Sequence, residues 1–406
     1  MNNASHDFNG AGFVPHGTRT RFEVAYDDLL QALRTIDSTY PKIREGQGEP
    51  EIRAAFRKFL TTMDYKFAAK NFDELLKEKS GKFTLRKDNT INWYHEFIPI
   101  MTVMDLLRTG SDNRGFDMDD IDRYAGLEVY IAAHLRHDSI EDRYKKMPYR
   151  QAARIFRSLQ MMMLEEIALN QPDYDMKAGR RMVSDMMTHD RLMTRKKIYY
   201  ADDSVWKQPM EEYAVNMVQK KTSTPFIFVS KQTDVIHNMA TMLGAPDFGP
   251  DKRLERCNRH EDFYGENRVG ATLAAQQRWP DMAETIKILD DIMRFGLILN
   301  FRYLQNVDLH YKEPSHVPLH GLGQCVDSVL MLNLPEQFHP IHILLKRMQN
   351  TVDAQKEPGK FGRVAKFLER SVKPALEDHK EAFPYLFGRQ ETRVPANNNR
   401  PQPPSM

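Results

Sequence analysis

The sequence predicts an all-α protein, and three observations support that class. Between its two ends the chain is rich in Leu, Met, Ala, Lys, Arg, Glu and Gln, whereas Val, Ile and Thr are sparse. Apolar residues recur at spacings of three and four, which is the period of one helix face. Two such stripes are Leu127, Ile131 and Leu135, and Ile286, Leu289 and Met293. Turn-like breaks at residues 109–115, 170–173, 245–251, 312–318 and 357–362 divide the chain into helical hairpins.

One segment also fits a different structure. Residues 225–230 form a β-branched and aromatic run that suits a buried strand. The same six residues suit the first turns of a buried helix that leads into Asp234. We prefer the helix because the pattern that follows is helical.

Composition limits the class of function. The chain has 406 residues, with 58 Lys plus Arg against 56 Asp plus Glu, so its net charge of +2 argues against a nucleic-acid partner. The two cysteines, Cys257 and Cys325, are too few for a disulfide framework and lack the spacing of a zinc ribbon. The sequence has neither the apolar core of a signal peptide near its start nor an apolar run of roughly 18 residues. We therefore expect a cytoplasmic protein with no membrane partner.

A first candidate for chemistry is the His137–Asp138 pair. Glu141 and Asp142 follow Asp138 at three and four residues, a spacing that puts all three carboxylates on one helix face. Such a group can bind a divalent ion and handle a proton, although a solvated, charged helix end explains the local pattern equally well. A second pair, His189–Asp190, has no carboxylates at these spacings, and we predict that it lies on a solvated helix surface.

A second candidate is the polar stripe formed by Asp234, Asn238 and Thr241. Their spacing of four and three residues places a carboxylate, an amide and a hydroxyl on one side of a helix. This stripe can ligate a metal and hold a sugar or a base beside it. The alternative is a polar helix face that begins at an N-cap aspartate.

A third candidate is a basic pair followed by a histidine. Arg86 and Lys87 precede His95 by nine and eight residues, and such cations can neutralise phosphates or stack on a base. By itself this segment is typical of a surface loop.

Three other histidines fit both structural and functional roles. His134 and His237 can support neighbouring ligands, although each is more typical of an ordinary helix face. His260 lies in a charged cluster that can cover a pocket, but we predict a solvated turn there.

Taken together, the three segments resemble the hydrolase domain of RelA/SpoT-type (p)ppGpp hydrolases. Residues 137–142 resemble that family's H-D-x-x-E-D motif, and residues 234–241 resemble its D-R-x-H-N-M-x-T segment. Arg86, Lys87 and His95 resemble parts of its R-K-S-G-E-P-x-x-x-H lead-in. The similarity covers residues 64–242, in the family's order, and it is more specific than any one motif.

The resemblance implies a metal-dependent reaction on a guanosine nucleotide. The implied metal is manganese or a similar divalent ion, and the implied reaction removes the 3′-pyrophosphate of (p)ppGpp to give GDP or GTP, as in the stringent response. The implied ligands are His95, His137, Asp138 and Asp234. Glu141 and Asp142 would orient or deprotonate the attacking water, and Arg86, Lys87, Asn238 and Thr241 would contact the nucleotide.

The chain also departs from the family pattern. Glu96 replaces the proline that usually follows the first histidine, and Val235 replaces the arginine that follows the second metal-binding aspartate. These departures keep open an HD phosphohydrolase that acts on another nucleotide, or a catalytically silent binding module. Nothing like the family's synthetase motif follows, so we expect hydrolysis without synthesis.

The predicted architecture is an HD-type helical bundle with extra helices at both ends. We place a disordered tail at residues 1–19, an N-terminal helical extension at 20–61 and the HD-type phosphohydrolase domain at 62–305. A C-terminal helical region at 306–388 and a disordered tail at 389–406 complete the chain. The role of the C-terminal region and the oligomeric state stay open.

Overall fold

The fold is known from a computed structural model, and the all-α prediction is confirmed. The structure describes residues 19–80, 91–114, 126–138, 147–199, 205–243, 249–265, 269–307, 321–353 and 358–387. Within these ranges the chain is almost entirely helical, apart from one short β-hairpin. None of the helices in these ranges combines the length and the apolar character that a membrane span requires. The predicted tails fall almost wholly outside the described residues.

Seven longer helices form the first half of the described chain. They are α1 (Arg21–Thr39), α2 (Glu49–Met63), α3 (Lys66–Ser80), α4 (Tyr94–Arg114), α5 (Gly126–Leu135), α6 (Tyr149–Asn170) and α7 (Met176–Met193). A hairpin follows, made of β1 (Lys197–Tyr199) and β2 (Val205–Lys207). The short α8 (Met210–Ala214) continues as a π-helical turn, Val215–Gln219.

The second half begins with the helix that lies at the centre of the molecule. Its elements are α9 (Pro225–Met242), α10 (Pro250–Tyr264), α11 (Ala271–Arg278), α12 (Ala283–Val307), α13 (Val326–Leu330), α14 (Pro340–Asp353), α15 (Pro358–Phe367), α16 (Lys373–Leu376) and α17 (Pro384–Phe387). Short 3₁₀ or π turns join several of them.

The central element is α9, which packs against α4, α5, α7, α12 and α14. Almost all of its residues are buried. A helix that is apolar on most of its circumference has to be covered on all sides by other helices. One continuous hydrophobic core results, and it extends from Phe22 in α1 to Leu386 in α17.

The helical interpretation of residues 225–230 is confirmed. Thr224 occupies the N-cap position in an extended conformation, and Pro225 is the first helical residue. Proline suits that position because its missing N–H would have no partner inside the helix. At the other end, Arg347 of α14 donates a hydrogen bond of 2.7 Å to the carbonyl oxygen of Thr241. The C-terminal region therefore helps to end the central helix.

Not every local feature follows the sequence pattern. The break predicted at residues 109–115 is wrong, because α4 continues to Arg114, whereas the break at 170–173 is confirmed between α6 and α7. The break predicted at 357–362 is placed too late, because α14 ends at Asp353 and α15 already begins at Pro358, where proline suits the first position of a helix. The β1–β2 hairpin was not predicted, since three-residue strands are too short to show an alternating pattern.

Asp105 of α4 connects α1 and the segment that follows α13 to the middle of the fold. It is 1% exposed, and it accepts hydrogen bonds from the Tyr26 hydroxyl at 2.9 Å and from the Asn333 backbone N–H at 2.6 Å. Tyr26 belongs to α1, and Asn333 follows α13. Burial raises the pKa of Asp105 to about 6, although these hydrogen bonds favour the charged form.

We therefore expect a pH-dependent contribution of Asp105 to stability. A carboxyl group whose pKa is higher in the folded state stabilises the fold below pH 4, and that contribution is lost as the pH rises through 6. The full change is about 3 kcal/mol for a shift of about two pH units. Urea unfolding at pH 4 and pH 7 should show this loss in the wild type but not in Asp105→Asn.

The matched control is Asp28→Asn, which changes an exposed carboxylate on α1 that pairs with Lys58. Because this ion pair is exposed to solvent, its loss should change the free energy of unfolding by about 1 kcal/mol or less. An Asp105→Asn variant with the pH dependence of the wild type would contradict the assignment.

Candidate metal centre

His95 lies in the first turn of α4. The start of this helix is anchored by the neighbouring Trp93, whose indole N–H donates a hydrogen bond of 2.7 Å to Glu49 of α2. Pro99 lies four residues after His95 inside the helix and has no N–H to donate to the His95 carbonyl. The His95 side chain is only 6% exposed, so its imidazole points into the molecule.

His137 and Asp138 lie just beyond the end of α5, and Arg136 separates them from its last residue, Leu135. The His137 Nδ1 atom lies 2.7 Å from the carbonyl oxygen of His134. Because a carbonyl can only accept, Nδ1 carries the proton and Nε2 keeps a lone pair for a ligand. The side chain of His137 is 3% exposed, whereas that of Asp138 is 37% exposed. Asp138 therefore lies at the open side of the centre.

Asp234 enters the centre from the middle of α9, and each oxygen of its carboxylate has a side-chain partner. The Lys231 ammonium lies 2.7 Å from Oδ2, and the Asn238 amide donates a hydrogen bond of 2.8 Å to Oδ1. Lys231 and Asn238 are three residues before and four residues after Asp234, so one helix provides the carboxylate and both partners. The carboxylate is thereby held in one orientation.

These side chains converge from three separate segments. One ligand atom from each of His95, His137 and Asp234 lies within 4.8 Å of the other two, and all three residues are buried. Oδ2 of Asp138 lies 3.4 Å from Nε2 of His95, and Oδ1 of Asp138 lies 3.4 Å from Nε2 of His137. Asp234 Oδ1 lies 3.4 Å and 3.7 Å from the same two nitrogens.

The electrostatics of the cluster favour a cation at its middle. Burial alone lowers the pKa of His137, but the Asp138 and Asp234 carboxylates outweigh it and raise the pKa to about 10. For Asp234, burial opposes ionisation, but Lys231 and the imidazoles hold its pKa well below the usual range. The position between the rings therefore stabilises positive charge.

A metal ion fits this arrangement. His137 Nε2 is buried, and among the described residues it has no hydrogen-bond partner. Imidazole nitrogens and carboxylate oxygens are common metal ligands in proteins. The buried His95, His137 and Asp234 cluster can therefore hold a metal ion, with Asp138 beside it.

His237 supports the cluster from behind. It is 2% exposed, and its Nδ1 lies 3.0 Å from Nδ1 of His95. If His95 presents Nε2 to a metal, its Nδ1 carries the proton and donates the hydrogen bond to His237. This contact indicates that His237 supports the ring of His95, whereas we expected an ordinary histidine on a helix face. His134 is also buried, and its ring stacks on that of His137 with centroids 4.7 Å apart.

The prediction that His189–Asp190 is a solvated surface pair is wrong. His189 is 4% exposed and Asp190 is 0% exposed, because their face of α7 packs against α5. The sequence pattern identifies a helix, but it does not show which polar residues another helix covers.

The predicted turn at His260 is also wrong. His260 lies inside α10 and is partly buried. Burial and the positive charges of Arg259 and Lys231 together lower its pKa to about 3, while the negative charge of Asp234 acts in the opposite direction. The imidazole is therefore within electrostatic range of the candidate metal centre.

Of the six other predicted site residues, the structure describes Asn238 and Thr241. Asn238 and Thr241 lie on the α9 stripe as expected, and the Thr241 hydroxyl bonds to the carbonyl oxygens of His237 and Asn238. Arg86, Lys87, Glu141 and Asp142 lie outside the described residues.

The two departures from the family pattern are both buried. Val235 belongs to the hydrophobic core and is 1% exposed, so the cation beside Asp234 comes from Lys231. Glu96 is 3% exposed, and its negative charge contributes to the raised pKa of His137.

No family model, curated protein or solved structure matches the chain.

We expect His237 to influence metal binding through His95. His237→Leu removes the acceptor for the His95 ring and should weaken the affinity for a divalent ion by about 10-fold, a typical effect of losing a partner of a ligand. His237→Asn places a polar atom near the position of Nδ1 and should restore most of the affinity. Calorimetric titration of metal-free protein measures both, and equal affinities for the His237→Leu variant and the wild type would contradict the role.

Proposed function

We propose that this protein is a metal-dependent pyrophosphohydrolase that removes the 3′-pyrophosphate of (p)ppGpp. The supporting observation is the convergence of His95, His137, Asp138 and Asp234, which come from three distant segments in the order of the RelA/SpoT-type motifs. A solvated helix end or a polar surface stripe gives no reason for these particular side chains to meet in the interior.

In this proposal the metal is Mn²⁺ or a similar ion. His95 and His137 would bind it through Nε2, and Asp138 and Asp234 through carboxylate oxygens. When bound, such an ion acts as a Lewis acid that lowers the pKa of water and offsets the negative charge of the phosphoryl oxygens. Lys231 and Asn238 would keep the Asp234 carboxylate oriented throughout the reaction.

The reaction consumes one water molecule. The water oxygen forms a bond to the phosphorus atom attached to the ribose 3′ oxygen, and the bond between that phosphorus and the 3′ oxygen breaks. Pyrophosphate leaves, and the 3′ oxygen takes up a proton. Glu141 or Asp142 is proposed to accept the proton of the attacking water, in keeping with their place in the H-D-x-x-E-D motif.

The nucleotide would extend from the metal along the polar stripe of α9. Thr241 lies seven residues after Asp234, or about 10 Å along the helix axis. That distance is comparable with the span of a nucleoside, so Asn238 and Thr241 can contact the sugar or the base. Arg86 and Lys87 are proposed to contact the phosphates or stack on the guanine.

The direct test is pyrophosphate release from ppGpp by the purified chain with Mn²⁺. We expect Asp138→Ala to lower the rate by about 1,000-fold or more, because losing a ligand removes several kcal/mol of charge stabilisation. The control is Asp173→Ala, which changes an exposed carboxylate before α7 and should leave the rate unchanged. Equal release by the wild type and Asp138→Ala would show that the activity comes from another site.

A second candidate is an HD-type phosphohydrolase that acts on a different nucleotide. Buried Val235 favours it, because the family arginine is missing at this position and the cation beside Asp234, Lys231, is already paired with that carboxylate. The remaining alternative is a binding module that has lost catalysis.

A nucleotide panel separates these functions. With Mn²⁺ present, the proposal predicts pyrophosphate release from ppGpp and pppGpp but no phosphate release from GTP or ATP. Phosphate release from a nucleotide without a 3′ substituent would support the second candidate. Metal binding without turnover of any nucleotide would support the binding module.

A further inference from the structure

One side of α6 carries apolar side chains at the protein surface. Met162 is 63% exposed and Leu169 is 84% exposed, while Ile155 and Leu159 are half-buried. Successive members of this set are four, three and seven residues apart, so they line up along one side of the helix. Single exposed apolar residues are ordinary on protein surfaces, whereas an aligned stripe is typical of a surface that another molecule covers.

The opposite side of α6 is used by the fold itself. It packs against α3 and α7, and its buried residues are Ala152, Phe156, Gln160, Met163, Leu164 and Ile167. The α6 stripe, which consists of Ile155, Leu159, Met162 and Leu169, therefore lies on the side of the helix away from the core. Its members follow the heptad spacing by which two helices pack side by side.

The charged residues of α6 are divided between its two halves. The first half carries Arg150, Arg154 and Arg157 and has no acidic residue, whereas the second half carries Glu165 and Glu166 and has no basic residue. All five are exposed. This order opposes the helix dipole, which favours acidic residues near the N-terminus and basic residues near the C-terminus. The stability of the helix by itself therefore does not explain the arrangement.

Most of these charges are free to pair with another molecule. Glu166 forms an ion pair with Lys70 of α3. Within the ranges that the structure describes, the three arginines and Glu165 form no ion pair. The α6 stripe is therefore flanked by unpaired positive charge at one end and by negative charge at the other.

A second copy of the same chain complements this surface. If two α6 helices lie antiparallel, the basic half of each lies beside the acidic half of the other, whereas a parallel pair would place like charges together. Met162 is seven residues from both Ile155 and Leu169, so a twofold axis near Met162 places Leu169 of one copy opposite Ile155 of the other. The opposed helix dipoles also compensate each other.

We propose that α6 forms an antiparallel homodimer interface, in which the α6 stripe packs on its counterpart and Arg154 pairs with Glu165 of the other copy. These two residues are 11 positions apart, which is about three helical turns, so they lie on the same flank of the stripe. In an antiparallel pair the two equivalent flanks meet, and the long arginine side chain can reach the carboxylate. The contact is closed by its symmetry, so assembly ends at the dimer.

The size of the contact limits its affinity. The 22 residues of α6 extend over about 33 Å, and a single pair of such helices gives an interface at the small end of specific contacts. We therefore expect a dissociation constant in the micromolar range.

The test is analytical ultracentrifugation of the full-length chain between about 1 and 100 µM, where a micromolar dimer changes from mostly dissociated to mostly associated. Met162→Glu places two like charges together at the twofold axis and should weaken association by about 100-fold, because the centre of an interface carries most of its binding energy. The matched control is Leu273→Glu, which changes an exposed apolar residue of α11 and should leave the dimer unchanged. Circular dichroism checks that both variants are folded.

An exchange of charges tests the antiparallel arrangement. Arg154→Glu and Glu165→Arg each place like charges opposite each other twice in the dimer, so each variant alone should associate about 10-fold more weakly than the wild type. A mixture of the two variants has opposite charges at both positions and should form a heterodimer with nearly the affinity of the wild type. A non-specific apolar contact does not produce this rescue.

A monomer at every concentration would overturn the proposal and leave the α6 stripe to a different partner. A dimer that Met162→Glu does not weaken would assign dimerisation to another surface and would refute the proposal equally. Absence of rescue in the mixture would contradict the antiparallel pairing. These measurements need no metal or nucleotide, so their outcome is independent of the proposed hydrolysis.

Discussion

The candidate centre depends on one physical constraint, the burial of the Asp234 carboxylate in the central helix. An isolated charge in the interior is strongly unfavourable, so it has to be compensated by nearby positive charge and hydrogen bonds. Lys231 and Asn238 engage its two oxygens from the same helix, and the rings of His95 and His137 face it from other segments. The same constraint makes the position between the rings attractive to a metal ion.

The helices outside the resemblance hold this centre in place. Asp105 ties α1 and the segment after α13 to α4, the helix that carries His95. Arg347 of α14 binds the carbonyl oxygen of Thr241 near the end of α9, the helix that carries Asp234. The N-terminal and C-terminal regions therefore share one core with the segments that form the centre, and they restrain the two helices whose relative position sets the distance between His95 and Asp234.

The sequence was informative wherever a single helix determines the contact. The spacing of Asp234 and Asn238 placed both side chains on one face, and the structure joins them by a hydrogen bond. It was misleading where a contact depends on a second helix. His189 and Asp190 resemble a solvated pair in sequence, but α5 covers them, and His260 lies in a helix near Lys231 rather than in a turn.

The sequence by itself determined the helical class and the residue types that can bind a metal, and it favoured a helix over a strand at residues 225–230. Helical periodicity and local spacing carry this information because they act within about one or two turns. Only the tertiary structure decided which of these side chains meet, which histidines support them and which acids are buried. Several of those outcomes depend on contacts between residues far apart in the sequence, such as His95 with His237, and no local pattern specifies them.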